Sequence, residues 1–160
     1  MTHVVLSLGS NIDRETNIRT ALDKVQSRLG DLELSPVYET VAVGFEGPPF
    51  LNLVAGFDTD LPLLEVRDQL RQIEIESGRV RGNKTFDNRI LDIDIILFGD
   101  QDFRPQGFNI PRDEIEKFAY VLKPLSDLYP NQFHPVTGKR YIDMWHAFDS
   151  SAQPVEVVEF

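Results

Sequence analysis

The chain alternates between short apolar runs with a two-residue period and longer stretches whose apolar positions recur every three or four residues. His3 to Leu8 reads as a strand that stops at the turn signal Gly9-Ser10-Asn11. Ile18, Ala21, Leu22, Val25 and Leu29 then follow at helical spacing, and Gly30 closes the stripe, so a helix with one buried face is predicted. Leu32 to Tyr38 is a second predicted strand. Phe50 to Phe57 is a third, with Leu51, Leu53 and Ala55 alternating against Phe50, Asn52 and Val54. Pro62 suits the first turn of a second helix, whose stripe of Leu63, Val66, Leu70 and Ile73 runs on to Gly78. Ile90 to Phe98 is the strongest strand signal, ended by Gly99-Asp100.

The order β-α-β-β-α-β predicts an α+β fold of the ferredoxin-like kind. In that fold an antiparallel sheet carries its helices on one face and leaves the other for loops or ligand. From Gln101 onward the pattern loosens into an irregular C-terminal extension. Pro105, Pro111, Pro124, Pro130 and Pro135 divide it, and Tyr141 to Phe148 is its best helical segment. With 160 residues and no repeat or linker, residues 1–160 are expected to form a single domain.

Composition narrows the function. An apolar content of 41% belongs to ordinary globular chains, and no stretch approaches the roughly 18 apolar residues of a membrane span. The start has no basic region or cleavage site of a signal peptide, so the cytoplasm is the expected compartment and no membrane partner is expected. Without cysteine there is no disulfide framework, thiolate zinc site or thiol nucleophile. A formal charge of −10 disfavours nucleic acid as a partner, and a phosphate ligand would need a local basic island. Arg79, Arg81, Lys84 and Arg89, broken only by Asp87, supply one, although a solvated charged loop fits the same composition. The Gly- and Pro-rich stretch Thr40 to Pro49 carries Val41, Val43 and Phe45. It reads either as an apolar ligand surface or as a loop tucked on the core.

The most specific chemistry lies on the last strand. Alternation sends Leu91, Ile93, Ile95 and Leu97 to one face and Asp92 and Asp94 to the other, beside Ile90, Ile96 and Phe98. The two carboxylates would stand roughly 6.6 Å apart at their Cα atoms, from which they can converge on magnesium. Two like charges beside apolar neighbours need a cation to offset them, and Mg²⁺ prefers carboxylate, water and phosphate oxygens. A plain solvent face also accounts for Asp-x-Asp taken alone. Arg89, Arg79 and Arg81 nearby shift the balance, because magnesium ligands and phosphate-gripping cations then adjoin. Group transfer from a nucleotide needs little beyond positioning and charge neutralisation. No Gly-x-x-x-x-Gly-Lys-Ser/Thr loop or His-Arg-Asp signature occurs, so the P-loop and protein-kinase routes are excluded. His3, His134 and His146 lack ligand spacing and read as structural or exposed.

Taken together, Gly9-Ser10-Asn11, Tyr38-x-Thr40, Phe50-Leu51-Asn52, Gly78-Arg79-Val80-Arg81 and Arg89-Ile90-Leu91-Asp92-Ile93-Asp94 resemble the 6-hydroxymethyl-7,8-dihydropterin pyrophosphokinase family over nearly the whole chain. The resemblance implies transfer of pyrophosphate from ATP to the hydroxymethyl group of a reduced pterin, giving AMP, in folate biosynthesis. It implies two Mg²⁺ ions on Asp92 and Asp94, with catalytic roles for both aspartates, Arg79 and Arg89. Thr40, Val41, Val43, Phe50, Asn52 and Tyr120 would bind the pterin, Phe50 and Tyr120 stacking on its two faces. Glu74, Arg81, Arg89 and Arg112 would face ATP, and the inherited oligomeric state is a monomer. Departures cluster on the nucleotide side: Phe86-Asp87-Asn88 replaces Trp-Gly-Pro, Thr85 a basic residue, Arg112-Asp113 a histidine-led pair and Phe118 an arginine. Asp113 beside bound phosphates would be repulsive, so weakened ATP binding is expected, and a divergent pterin-binding paralogue with weak or altered nucleotide use is the alternative reading.

Overall fold

The computed structural model describes residues 1–40, 47–78 and 91–160. Strand β1 (Thr2–Ser10) leads into helix α1 (Arg14–Leu29), and two short strands follow, β2 (Glu33–Leu34) and β3 (Val37–Thr40). Then come β4 (Phe50–Thr59), α2 (Leu63–Glu76) and β5 (Asp92–Phe98). Beyond them lie α3 (Glu114–Lys117), α4 (Ala119–Leu128), α5 (Tyr141–Ala147) and a last strand, β6 (Val155–Val158). The antiparallel sheet runs β5-β1-β4-β3-β6, with β2 also paired to β4, so the expected ferredoxin-like core is present.

The predicted strand over Leu32 to Tyr38 is divided in two. Pro36 has no N–H to give a ladder, and at this point Ser35 exchanges bonds with Val54 instead. The Ser35 N–H donates to the Val54 carbonyl and the Ser35 hydroxyl accepts the Val54 N–H, both at 2.9 Å.

Alternation gives the sheet two distinct faces. Val4, Leu6 and Leu8 of β1, with Leu51, Leu53, Ala55 and Phe57 of β4, pack on Ile18, Ala21 and Val25 of α1 and Val66, Leu70 and Ile73 of α2. The opposite face carries Val5, Val54, Ile96 and Leu97, which pack on Ile115 of α3, Val121, Leu122 and Leu125 of α4, and Tyr129 and Tyr141. The C-terminal extension is therefore more ordered than its prolines suggest, and it adds a second core. Helix α4 runs through Pro124, whose burial with Val121, Leu122 and Leu125 offsets the missing backbone bond. Strand β6 was not legible in advance; it pairs along all four residues of β3.

One alternation differs from expectation. Val5 pairs with Leu97 and Leu6 with Ile95, so Ile96 is an extra residue, a β-bulge. The bulge reverses the phase beyond it: Leu97 joins the face of α4, whereas Phe98 joins the face of α1 and α2.

At the far end of the sheet the backbone of β4 passes directly under a side chain of the C-terminal extension. A Cβ on Gly56 would overlap the Tyr129 hydroxyl, which donates to Glu33 at 3.0 Å. Gly56→Ala should thus displace Tyr129 and cost about 1–3 kcal/mol in urea unfolding, with the fold retained. An unchanged midpoint would show that this contact is not tight.

His134 is buried, and its Nδ1 accepts the backbone N–H groups of Val136 and Thr137 at 3.1 and 3.2 Å. The proton therefore sits on Nε2, which lies 3.5 Å from Glu116. Burial lowers the pKa of His134 below its ordinary value of 6.5, so the unfolded chain takes up its proton first. The stability from neutral His134 is complete above that value and is lost as the pH falls below it. The thermal midpoint should drop between about pH 7.5 and about pH 5, and the drop should be smaller in His134→Asn.

Candidate functional site

Helices α3 to α5 pack on the part of their sheet face built from Val5, Val54 and Leu97. The register places the chemistry on the remainder. Asp92 of β5 stands opposite Gly9 of β1, Gly9 opposite Asn52 of β4, and Asn52 opposite Tyr38 of β3, forming one row across four strands. Asp94 and Ser7 belong to the row on the α4 side, and Phe50 pairs with Thr40 on the other. Two strand spacings, about 10 Å, separate the Asp92 and Asn52 backbones.

Gly9 makes the floor between them. A Cβ there would meet Asn52 Oδ1 at 2.8 Å, closer than a side chain can stand. Asn52 is buried, and its amide donates to the Thr40 hydroxyl at 2.8 Å, which fixes which way the amide carbonyl faces. Phe50, next along the same face, is half-buried. The structure thus brings Thr40, Phe50, Asn52, Asp92 and Asp94 to one region. Val41, Val43, Arg79, Arg81 and Arg89, with Phe86, Asp87 and Asn88, lie outside the described residues.

The carboxylates are half-buried, and Asp94 has a cation beside it. Arg112 Nε lies 3.9 Å from Asp94 and 2.6 Å from Glu114. Its backbone is held as well, because the Arg112 N–H donates to the carbonyl of the bulged Ile96 at 2.9 Å. Burial opposes the charge on Arg112, but Asp94, then Glu114 and Asp113, more than restore it. Glu114, which the sequence reading passed over, orients this arginine; its signal was an acid two residues after Arg112, in the first turn of α3.

Asp113 bears on the expectation of weakened ATP binding. Its carboxylate accepts from Lys117 at 2.7 Å and from Asn109 at 2.8 Å, and these partners hold it below the usual carboxylate range. Much of the charge expected to repel phosphate is therefore neutralised locally. Phe118 stacks on Tyr120 with centroids 5.2 Å apart. Burial, then the Glu114 and Asp94 carboxylates, raise the Tyr120 phenol well above its usual range, so it stays protonated beside the acids.

Glu74 links helix α2 to strand β5. It is 8% exposed, and its carboxylate accepts the Ile93 N–H at 2.9 Å, tying α2 to the strand that bears the aspartates. A cavity of about 700 Å³, lined by residues including Met1, His3, Phe98, Phe133 and Tyr141, lies at the other end of the sheet and contains none of these groups.

Asp92 and Asp94 suit magnesium in donor type and placement: oxygen ligands on adjacent rows of one face, half-exposed so that water and phosphate can complete the shell. Among the described residues no cluster of three or more His, Asp or Glu could hold a metal unaided.

Comparison with known proteins accords with this geometry. Residues 5–130 match the family model described as 7,8-dihydro-6-hydroxymethylpterin-pyrophosphokinase (HPPK). The 2-amino-4-hydroxy-6-hydroxymethyldihydropteridine pyrophosphokinase of Aquifex aeolicus is 36% identical over 141 residues, covering 87% of this chain and 88% of that one. The enzyme of the same name from Pseudomonas aeruginosa is 39% identical over 133 residues, 80% and 81% of the two chains. Among solved structures, an HPPK-DHPS chain in complex with substrates aligns over 94% of this chain with a TM-score of 0.73. At 16% identity that likeness speaks for the fold, and the present chain spans 44% of the longer one. By its matched residues and by its similarity to full-length relatives, the chain belongs to the 7,8-dihydro-6-hydroxymethylpterin-pyrophosphokinase family.

Proposed function

We infer that this chain is an ATP-dependent pyrophosphokinase of folate biosynthesis, which moves the β,γ-pyrophosphoryl group of ATP onto the hydroxymethyl oxygen of 6-hydroxymethyl-7,8-dihydropterin and releases AMP. The observation that carries the reading is the row Asp92, Gly9, Asn52 on one sheet face, acids at one end and a fixed amide at the other. A planar heterocycle with polar edges fits the amide end; polyphosphate with its cations fits the acid end.

At the pterin end, Asn52 would offer its amide carbonyl to the ring edge, held in place by Thr40. Phe50 and Tyr120 would provide aromatic walls, and Val41 and Val43 would add backbone contacts. Fixing the ring in this way aims the hydroxymethyl oxygen toward Asp92 and Asp94. The oxygen attacks the β-phosphorus, the bond from that phosphorus to the α,β-bridging oxygen breaks, AMP leaves, and the hydroxyl proton passes out of the site.

Asp92 and Asp94 would hold two Mg²⁺ ions, which when bound with ATP neutralise phosphate charge. Arg112, 3.9 Å from Asp94 and held by Glu114 at 2.6 Å, would face ATP beside the metal-binding carboxylates. Arg79, Arg81 and Arg89 would grip the phosphates on the strength of the sequence motif. Glu74 would act on the nucleotide side by fixing β5 through Ile93. The proposed catalytic unit is one copy of residues 1–160, working as a cytoplasmic monomer.

AMP formation from ATP and Mg²⁺, with and without the pterin, tests the reading directly. Pterin-dependent AMP is expected from the wild type, and Asp94→Ala should lower it at least about 100-fold while unfolding at nearly the wild-type temperature. Near-normal turnover in a folded Asp94→Ala protein would remove the metal assignment.

Asn52→Ala should raise the pterin KM about tenfold or more and leave the ATP KM within about twofold. Equal rises in both would make Asn52 a structural residue only.

A further inference from the structure

Phe118 is the extended residue between two helices, following α3 and preceding α4, with φ −126° and ψ 127°. A junction of this kind exposes unpaired backbone groups, a carbonyl from the first helix and an N–H from the second. Gln153 satisfies one of each. Its Oε1 accepts the Ala119 N–H at 2.9 Å, and its Nε2 donates to the Lys117 carbonyl at 3.1 Å. The single amide therefore grips the backbone on both sides of Phe118, whose ring stacks on Tyr120.

The grip is itself anchored. The Gln153 N–H donates to the Ser150 carbonyl at 2.9 Å, and two residues later β6 begins its pairing with β3, Val155 opposite Thr40. One C-terminal segment thus reaches two parts of the proposed pterin pocket: the Tyr120 wall through Gln153, and Thr40, which holds Asn52, through β6.

We propose that Gln153 is a positioning residue for pterin binding, fixing the α3–α4 junction so that Phe118 holds the Tyr120 ring as a wall of the pocket. The inference rests on the pyrophosphokinase reading above. Gln153 touches no substrate; it acts through the ring it places.

Steady-state AMP formation by the full chain provides the test, with pterin and ATP varied in turn. Gln153→Ala should raise the pterin KM about tenfold and leave the ATP KM within about twofold, while the protein still unfolds cooperatively. Gln153→Glu keeps the acceptor for Ala119 and loses the donor to Lys117, so its pterin KM should fall between those of wild type and Gln153→Ala. In a Tyr120→Ala background, Gln153→Ala should change the pterin KM by less than about twofold, because the ring through which it acts is gone. Equal rises in both KM values, or a full-sized effect without Tyr120, would reduce Gln153 to a helix cap and overturn the proposal. A wild type that turns over beside a Gln153→Ala variant with unchanged pterin KM overturns this proposal alone. A wild type that makes no pterin-dependent AMP overturns the parent reading and this one with it.

Discussion

Side-chain alternation in a sheet that must be covered on both faces is the constraint from which the rest follows. Strands β1 and β4 lie in the interior of the sheet, so every second residue has to find a partner on each side. Helices α1 and α2 fill one side with a stripe apiece. The C-terminal helices pack on Val5, Val54, Ile96 and Leu97 of the other. Asn52, Asp92, Asp94 and the bare backbone of Gly9 lie on that same face, beyond those residues.

Strand β5 serves both parts, and the bulge at Ile96 makes this possible. Ahead of it the strand directs Asp92 and Asp94 to the candidate site; beyond it the phase reverses, so that Leu97 enters the second core and Phe98 the first. The bulged carbonyl also receives the Arg112 N–H, which brings the guanidinium to within 3.9 Å of Asp94. A single extra residue thereby sets the boundary between packing and chemistry and places the charged group that stands there.

Much of this was legible in the sequence because alternation and helical spacing are local signals. The stripes of α1 and α2 and the shared face of Asp92 and Asp94 needed no knowledge of the rest of the chain. What escaped depended on contacts between distant segments. Nothing in Ile95-Ile96-Leu97 marks the bulge, since all three side chains are apolar and either phase buries them. Helix α4 crosses Pro124 only because a second core exists to receive it, and β6 is four residues whose partner lies more than a hundred positions earlier. Asp113 looked repulsive in isolation; Lys117 and Asn109, four residues away on either side, answer its charge once α3 is formed. The hydrogen bond from the Ile93 N–H to the Glu74 carboxylate escaped for the same reason, since 19 positions separate the two residues.

That last contact matters beyond catalysis. Strand β5 is an outer strand of the sheet, and an outer strand with unclaimed backbone groups can recruit a strand from another molecule. Here the Ile93 N–H is taken by Glu74 and the Ile96 carbonyl by Arg112, one from each side of the fold. An incoming strand would have to displace a buried carboxylate and a packed segment to pair there. The contacts that aim the two aspartates therefore also protect this border of the sheet against edge-to-edge aggregation.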